Sequence, residues 1–155
     1  MKSMLAAAIT LVCCTVASAA EPALEQCRQR VMDYAYFWDH ADTESFGDLF
    51  TDNATLTLLG ATFTGRKAIV ERMAGSPGPV MRHLMSTIRI TATAAGTASG
   101  VSYVTLFAAE PVDEGLPEVD GFALIGEYHD QFQITSGGCR IAERSLLPVM
   151  RQRRR

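Results

Sequence analysis

The chain has 155 residues, with 14 Lys and Arg against 17 Asp and Glu and 48% hydrophobic residues. That is the profile of one globular domain, and it excludes both a disordered chain and two full cores. A net charge of −3 argues against nucleic-acid binding, which draws on a basic footprint. Positive charge gathers only in a short basic tail expected at 149–155, a solvated end whose one conceivable partner is an anionic lipid surface.

The first twenty residues read as a secretory signal peptide. Lys2 supplies the positive start, Met4 to Val16 an apolar run too short to cross a bilayer, and Ala17-Ser18-Ala19 a small-residue cleavage pattern. A lipoprotein signal at Cys13 or Cys14 fits less well, because Val12 stands where a small residue is expected, and a buried N-terminal helix is the ordinary alternative. Cleavage implies a secreted or periplasmic protein beginning at Ala20 or Glu21. It also leaves only Cys27 and Cys139, 112 positions apart. In an oxidising compartment these two can pair, or each can be a small buried thiol; both readings stay open.

The domain is expected over residues 21–148. From Glu21 to Asp39 the residues Leu24, Cys27, Val31, Tyr34 and Trp38 recur at spacings of three and four, which predicts a helix with one apolar stripe. A second helix is expected from Thr43 to Phe50, capped by Asp42 or Thr43. Ala54 to Leu59 alternates as a strand, Gly60 to Phe63 make its return, and Lys67 to Met73 form a third helix stopped by Gly75-Ser76-Pro77-Gly78-Pro79. Four longer strands follow at Val80 to Thr93, Thr97 to Glu110, Gly121 to Thr135 and Cys139 to Pro148, rich in β-branched and aromatic residues. Helices first and a meander after them predict an α+β fold, with antiparallel strands wrapped around the N-terminal helices.

Several short strings then align with a known family. Tyr34-x4-Asp39-x2-Asp42, Leu49-Phe50-Thr51-Asp52-Asn53-Ala54, Gly65-Arg66-x2-Ile69, Arg82-His83-Leu84, Gly126-x-Tyr128-x-Asp130 and Arg140-Ile141-Ala142-x-Arg144 stand in that order from Gln26 to Pro148. Together they resemble the SnoaL-like branch of the nuclear transport factor 2-like superfamily. The resemblance implies a cone-shaped barrel of a curved, mainly antiparallel sheet around N-terminal helices, a fold that hosts dehydratases, isomerases, cyclases and non-enzymatic binders. Its scytalone dehydratase and bile-acid dehydratase members look closest. That likeness implies a catalytic set of Asp39, His83 and Tyr34, with Arg144 near the pocket mouth. The chain departs from the pattern at Ser86 and Thr87, where an Asn is usual, and at Cys139, where a Trp is usual.

The chemistry of such a set stands without the family. An imidazole takes and returns a proton near neutral pH, a carboxylate on its other nitrogen fixes the tautomer, and a phenol can donate to a developing enolate oxygen. His40, next to Asp39, points about 100° away from it on a helix and reads as solvated. In the strand around His129, period two puts Tyr128 and Asp130 on one face and His129 on the other, with Tyr128 and Asp130 expected inward as in the family. Trp38, Phe63, Met85, Phe107 and Phe122 are pocket-lining candidates; Tyr128, Asp130, Arg144, Trp38 and Phe63 form the expected substrate-binding set. No Cys/His cluster, Gly-rich phosphate loop or Gly-x-Ser-x-Gly setting occurs, so no metal, cofactor or triad hydrolase is expected. The leading expectation is a cofactor-independent dehydratase or isomerase acting on a hydrophobic oxygenated small molecule. A secreted binding module without turnover and a dimer-forming scaffold are the alternatives, and a homodimer is a possible assembly.

Overall fold

A computed structural model describes residues 15–75 and 78–153, with side chains described from residue 21 onward. The leader expected before Glu21 lies, as far as residue 14, outside the described residues. Helix α1 (Thr15–Asp39) and the short α2 (Thr43–Asp48) lead into β1 (Phe50–Leu58), β2 (Ala61–Thr64) and α3 (Arg66–Ala74). Four long strands complete the domain: β3 (Val80–Ala94), β4 (Thr97–Ala109), β5 (Leu124–Thr135) and β6 (Gly138–Arg151).

The stripe read from the sequence is what α1 buries. Cys27, Val31, Tyr34 and Ala35 are inside, on the face turned to the sheet. Pro22 lies within α1 and, having no N–H, interrupts the i→i−4 ladder there. The other end is closed sharply. Ala41 takes a left-handed φ of 55°, the Asp42 N–H reaches the Phe37 carbonyl at 3.0 Å and the Ala41 N–H reaches Trp38 at 3.2 Å. Asp42 then caps α2 by accepting the Ser45 N–H at 3.1 Å, and that hydrogen bond holds its carboxyl below the ordinary value. The double turn makes Asp39 the last helical residue of α1.

The six strands form one sheet in the order β2-β1-β6-β5-β4-β3, with β2 and β3 at its edges. The fold is α+β and cone-like as expected, although the sheet stays open and does not close into a barrel. It is also mixed: β1 lies parallel to β6, while every other pairing is antiparallel. The last strand outruns its expected end. Pro148 pairs with Gly126 and Arg151 with Leu124, so part of the stretch read as a tail is sheet.

Two irregularities set which side chains face inward. In β3 the register slips between Ser86 and Arg89, where Thr87 has φ 49°. Met81, His83 and Met85 face inward before the slip, and Ile88 and Ile90 after it. Arg28 of α1 donates to the Ile88 carbonyl that the slip exposes. In β6 the register against β5 shifts between the pairs Gln131↔Glu143 and Phe132↔Ile141. Ile141 and Arg144 are therefore both buried, three positions apart, whereas strict alternation would send Arg144 to the outer face. Near this point Cys27 and Cys139 are joined by a disulfide with Cα atoms 5.2 Å apart, tying α1 to the start of β6. Arg30 adds a hydrogen bond to the Cys139 carbonyl at 3.0 Å.

Candidate active site

Strand β3 is an edge strand, so the backbone N–H groups on its free side have no ladder partner. The end of α1 supplies one. Asp39 Oδ2 accepts the His83 backbone N–H at 2.8 Å, and its Oδ1 meets the His83 ring at Nδ1, 2.6 Å away. Both side chains are only 6% exposed. One carboxylate thus holds the backbone and the ring of a single residue, which fixes the orientation of the imidazole. An ionised Asp39 accepts Nδ1–H, and this leaves the Nε2 lone pair as the reactive position of His83.

His83 lines a cavity of about 480 Å³ between α1, the N-terminal part of β3 and the inner face of the sheet. That volume lies within the range of small-molecule sites, roughly 300–1,000 Å³. Trp38, Leu58, Met81, Leu106 and Leu146 make its walls largely apolar, and Tyr34 and Tyr128 bring phenols to it. The Tyr34 ring centroid is 6.4 Å from that of His83 and 5.3 Å from that of Tyr128. The Tyr34 hydroxyl is buried against Tyr128. Burial pushes this phenol well above its usual pKa, and the neighbouring Tyr128 adds to the effect, so Tyr34 is a neutral donor. Burial also raises Tyr128.

Behind the two phenols lies a buried ion pair. Arg144 is fully buried and grips Asp130 with two bonds, Nε to Oδ1 at 2.7 Å and Nη2 to Oδ2 at 2.8 Å. Its guanidinium carbon sits 4.1 Å from the Tyr34 ring centroid and 4.6 Å from that of Tyr128. Burial alone would lower the Arg144 pKa; the Asp130 carboxylate more than offsets this and the group is raised.

Residues 22–145 match the SnoaL-like domain. The chain belongs to the SnoaL-like family. Among solved structures it is similar to a candidate scytalone dehydratase from Novosphingobium aromaticivorans, at 20% identity, TM-score 0.73 and coverage of 88% of this chain and 91% of that one. A nuclear transport factor 2-like protein with a cystatin-like fold from the same organism aligns at 19% identity, TM-score 0.74 and 90% and 92% coverage. A candidate dehydratase of that family from Streptomyces avermitilis aligns at 13% identity, TM-score 0.72 and 84% and 99% coverage. At such identities the likeness establishes the fold. No curated protein matches the chain in sequence.

Within this SnoaL-like domain the expected residues sort into three places. His83, Tyr34, Tyr128 and Trp38 meet at the cavity, with Asp39 directly behind His83. Asp130 is inward as expected from its strand and Arg144 is inward because of the β6 bulge, but neither lines the cavity. Arg144 stands beneath it, not near a mouth, because the β6 bulge and its bond to Asp130 hold it against the ring faces. Phe63 also falls outside the lining; it packs under the Arg72 guanidinium, 5.8 Å from ring centroid to carbon, and Arg72 lines the cavity in its place. Met85, Phe107 and Phe122 do not line it either, and Leu106 faces it instead of its neighbour Phe107. Leu58, Met81 and Leu146 had no sequence signal beyond alternation. His129 is exposed and paired with Glu127 at 2.9 Å, and His40 is exposed and stacked on Tyr36 at 4.1 Å. No group of three or more potential metal ligands occurs among the described residues.

Proposed function

We propose that this SnoaL-like protein is a dehydratase or isomerase that removes a proton beside a carbonyl group of a hydrophobic small molecule, with His83 as acid and base and Asp39 as its orienting partner. The observation that carries the reading is the 2.6 Å contact between Asp39 and His83 Nδ1, with the ring on the wall of an apolar cavity. His83 Nε2 takes the proton from the carbon next to the carbonyl, and the C–H electron pair moves into an enolate. Tyr34 donates its neutral hydroxyl to the enolate oxygen, and Asp39 stabilises the imidazolium. The imidazolium then gives its proton to a β-hydroxyl, which departs as water and leaves an enone, or returns it to a different carbon, which completes an isomerisation. The histidine ends each cycle as it began.

The protein is exported. Cleavage before Glu21 would move Pro22 from the interior of α1 to its first turn, the position proline tolerates best, and a disulfide between cysteines 112 positions apart suits an oxidising compartment. It assembles as a homodimer through the outer sheet face, where Leu84, Tyr103, Leu147 and Met150 are exposed. The activity is tested with a panel of cyclic β-hydroxy ketones, following enone absorbance. The native protein is expected to dehydrate at least one of them, and His83→Ala to lose that activity. Tight binding of panel members with no turnover by the native protein would make the domain a binding module.

A further inference from the structure

The buried Arg144–Asp130 pair has no place in the proton transfers just described, yet its cation lies against the faces of both phenols. Its guanidinium carbon is 4.1 Å from one tyrosine ring centroid and 4.6 Å from the other. Arg144 Nη1 is buried and forms no hydrogen bond, as fits a group whose partners are ring faces. A buried cation of this kind is costly unless paired, and Asp130 pairs it through Nε and Nη2. Of the two register shifts between β5 and β6, the one between Ile141 and Glu143 turns this arginine inward.

We infer that Arg144 is a positioning residue: stacked on the faces of Tyr34 and Tyr128, it holds both phenols at the cavity and sets positive charge behind them, with Asp130 moderating that charge. The pair thereby makes the two tyrosines a stronger receptor for an oxyanion than two buried phenols would be alone. The inference deepens the proposed reaction and rests on the cavity being its site. The sign of each charge follows from geometry. Arg144 favours negative charge on the phenols or on an oxygen bonded to them, and Asp130 opposes it, in agreement with their effects on Tyr34 and Tyr128.

Opposite signs give a test that a merely structural role cannot mimic. The probe is 4-nitrophenol, whose visible absorbance reports its own ionisation, so phenolate and phenol binding are measured separately on the full mature chain. Arg144→Met is expected to weaken phenolate binding about tenfold, Asp130→Asn to strengthen it by a similar factor, and neutral phenol binding to change much less. Arg144→Lys should restore part of the phenolate affinity. A ring-packing defect would weaken both forms in both variants. If Arg144→Met fails to fold, the comparison of Asp130→Asn with the native chain decides alone. Unchanged phenolate affinity in folded Asp130→Asn, or equal losses in both variants, would overturn the inference. Because the readout is binding, it stands or falls separately from the dyad, whose failure shows as lost turnover in His83→Ala.

Discussion

The two buried pairs at the cavity, Asp39–His83 and Asp130–Arg144, each set a carboxylate against a nitrogen donor and are placed in opposite settings. Asp39–His83 joins a helix end to an edge strand, so the histidine has a ring nitrogen left for whatever enters the cavity. Arg144–Asp130 joins two central strands, is 0% exposed on both side chains, and is surrounded by hydrogen bonds and ring faces. An edge leaves one face of a side chain open to what enters the cavity, and a sheet centre encloses it. The first setting suits chemistry, the second suits support.

That contrast is easiest to break by substitution. His83→Ala should cost on the order of 10²–10⁴ in turnover, as expected for loss of a general base, while the thermal midpoint falls less than in Arg144→Met, because Asp39 keeps its hydrogen bond from the residue-83 backbone N–H. Equal losses of midpoint and turnover would put His83 in the supporting class. Arg144→Met should do the reverse to stability. Leaving Asp130 as an uncompensated buried carboxylate costs about 3–5 kcal/mol, read as a fall in urea midpoint at unchanged slope. The double change Arg144→Met with Asp130→Leu should recover part of it, since the lone charge is then gone.

How far this contrast could be read from the chain depends on whether a regular period carried it. The three-four stripe of α1 gave Cys27, Val31 and Tyr34 their burial, and the Gly126-x-Tyr128-x-Asp130 string gave the inward face of β5. Resemblance brought Asp39 and His83 into one proposal, though they are 44 positions apart. What stayed hidden were breaks in period: the slip at Thr87, the bulge that turns Arg144 inward, and the parallel β1–β6 pairing. Each depends on partners distant in sequence. Phe63 was misjudged for a related reason, since a four-residue strand carries too little alternation to say that an arginine from α3 would come between it and the cavity.

A smaller effect separates the two ends of α1. Cys27 lies twelve residues before Asp39, roughly 18 Å along the helix. Replacing both Cys27 and Cys139 by Ala should lower stability by about 2–5 kcal/mol through loss of the loop constraint, with turnover retained below the new midpoint. Concurrent loss of both would mean that the disulfide also positions Asp39. The smallest effect belongs to the cap of α2. The Asp42 carboxyl is held below its usual value by Ser45, so its contribution is fully present above that usual value of 3.8 and is lost as pH falls through the lower folded value. Asp42→Ala should therefore lower the thermal midpoint slightly at neutral pH, and the difference from the native chain should shrink in strong acid.

The central claim is that His83 Nε2 removes a proton from carbon inside the cavity. It is tested most directly by deuterium exchange into a set of cyclic ketones lacking a leaving group, followed by NMR in D₂O. The native protein should label the carbon next to the carbonyl of a bound ketone faster than buffer does, Asp39→Asn should slow that labelling, and His83→Ala should reduce it to the buffer rate. Exchange by His83→Ala at the native rate, or none by the native protein with ketone bound, would contradict the assignment.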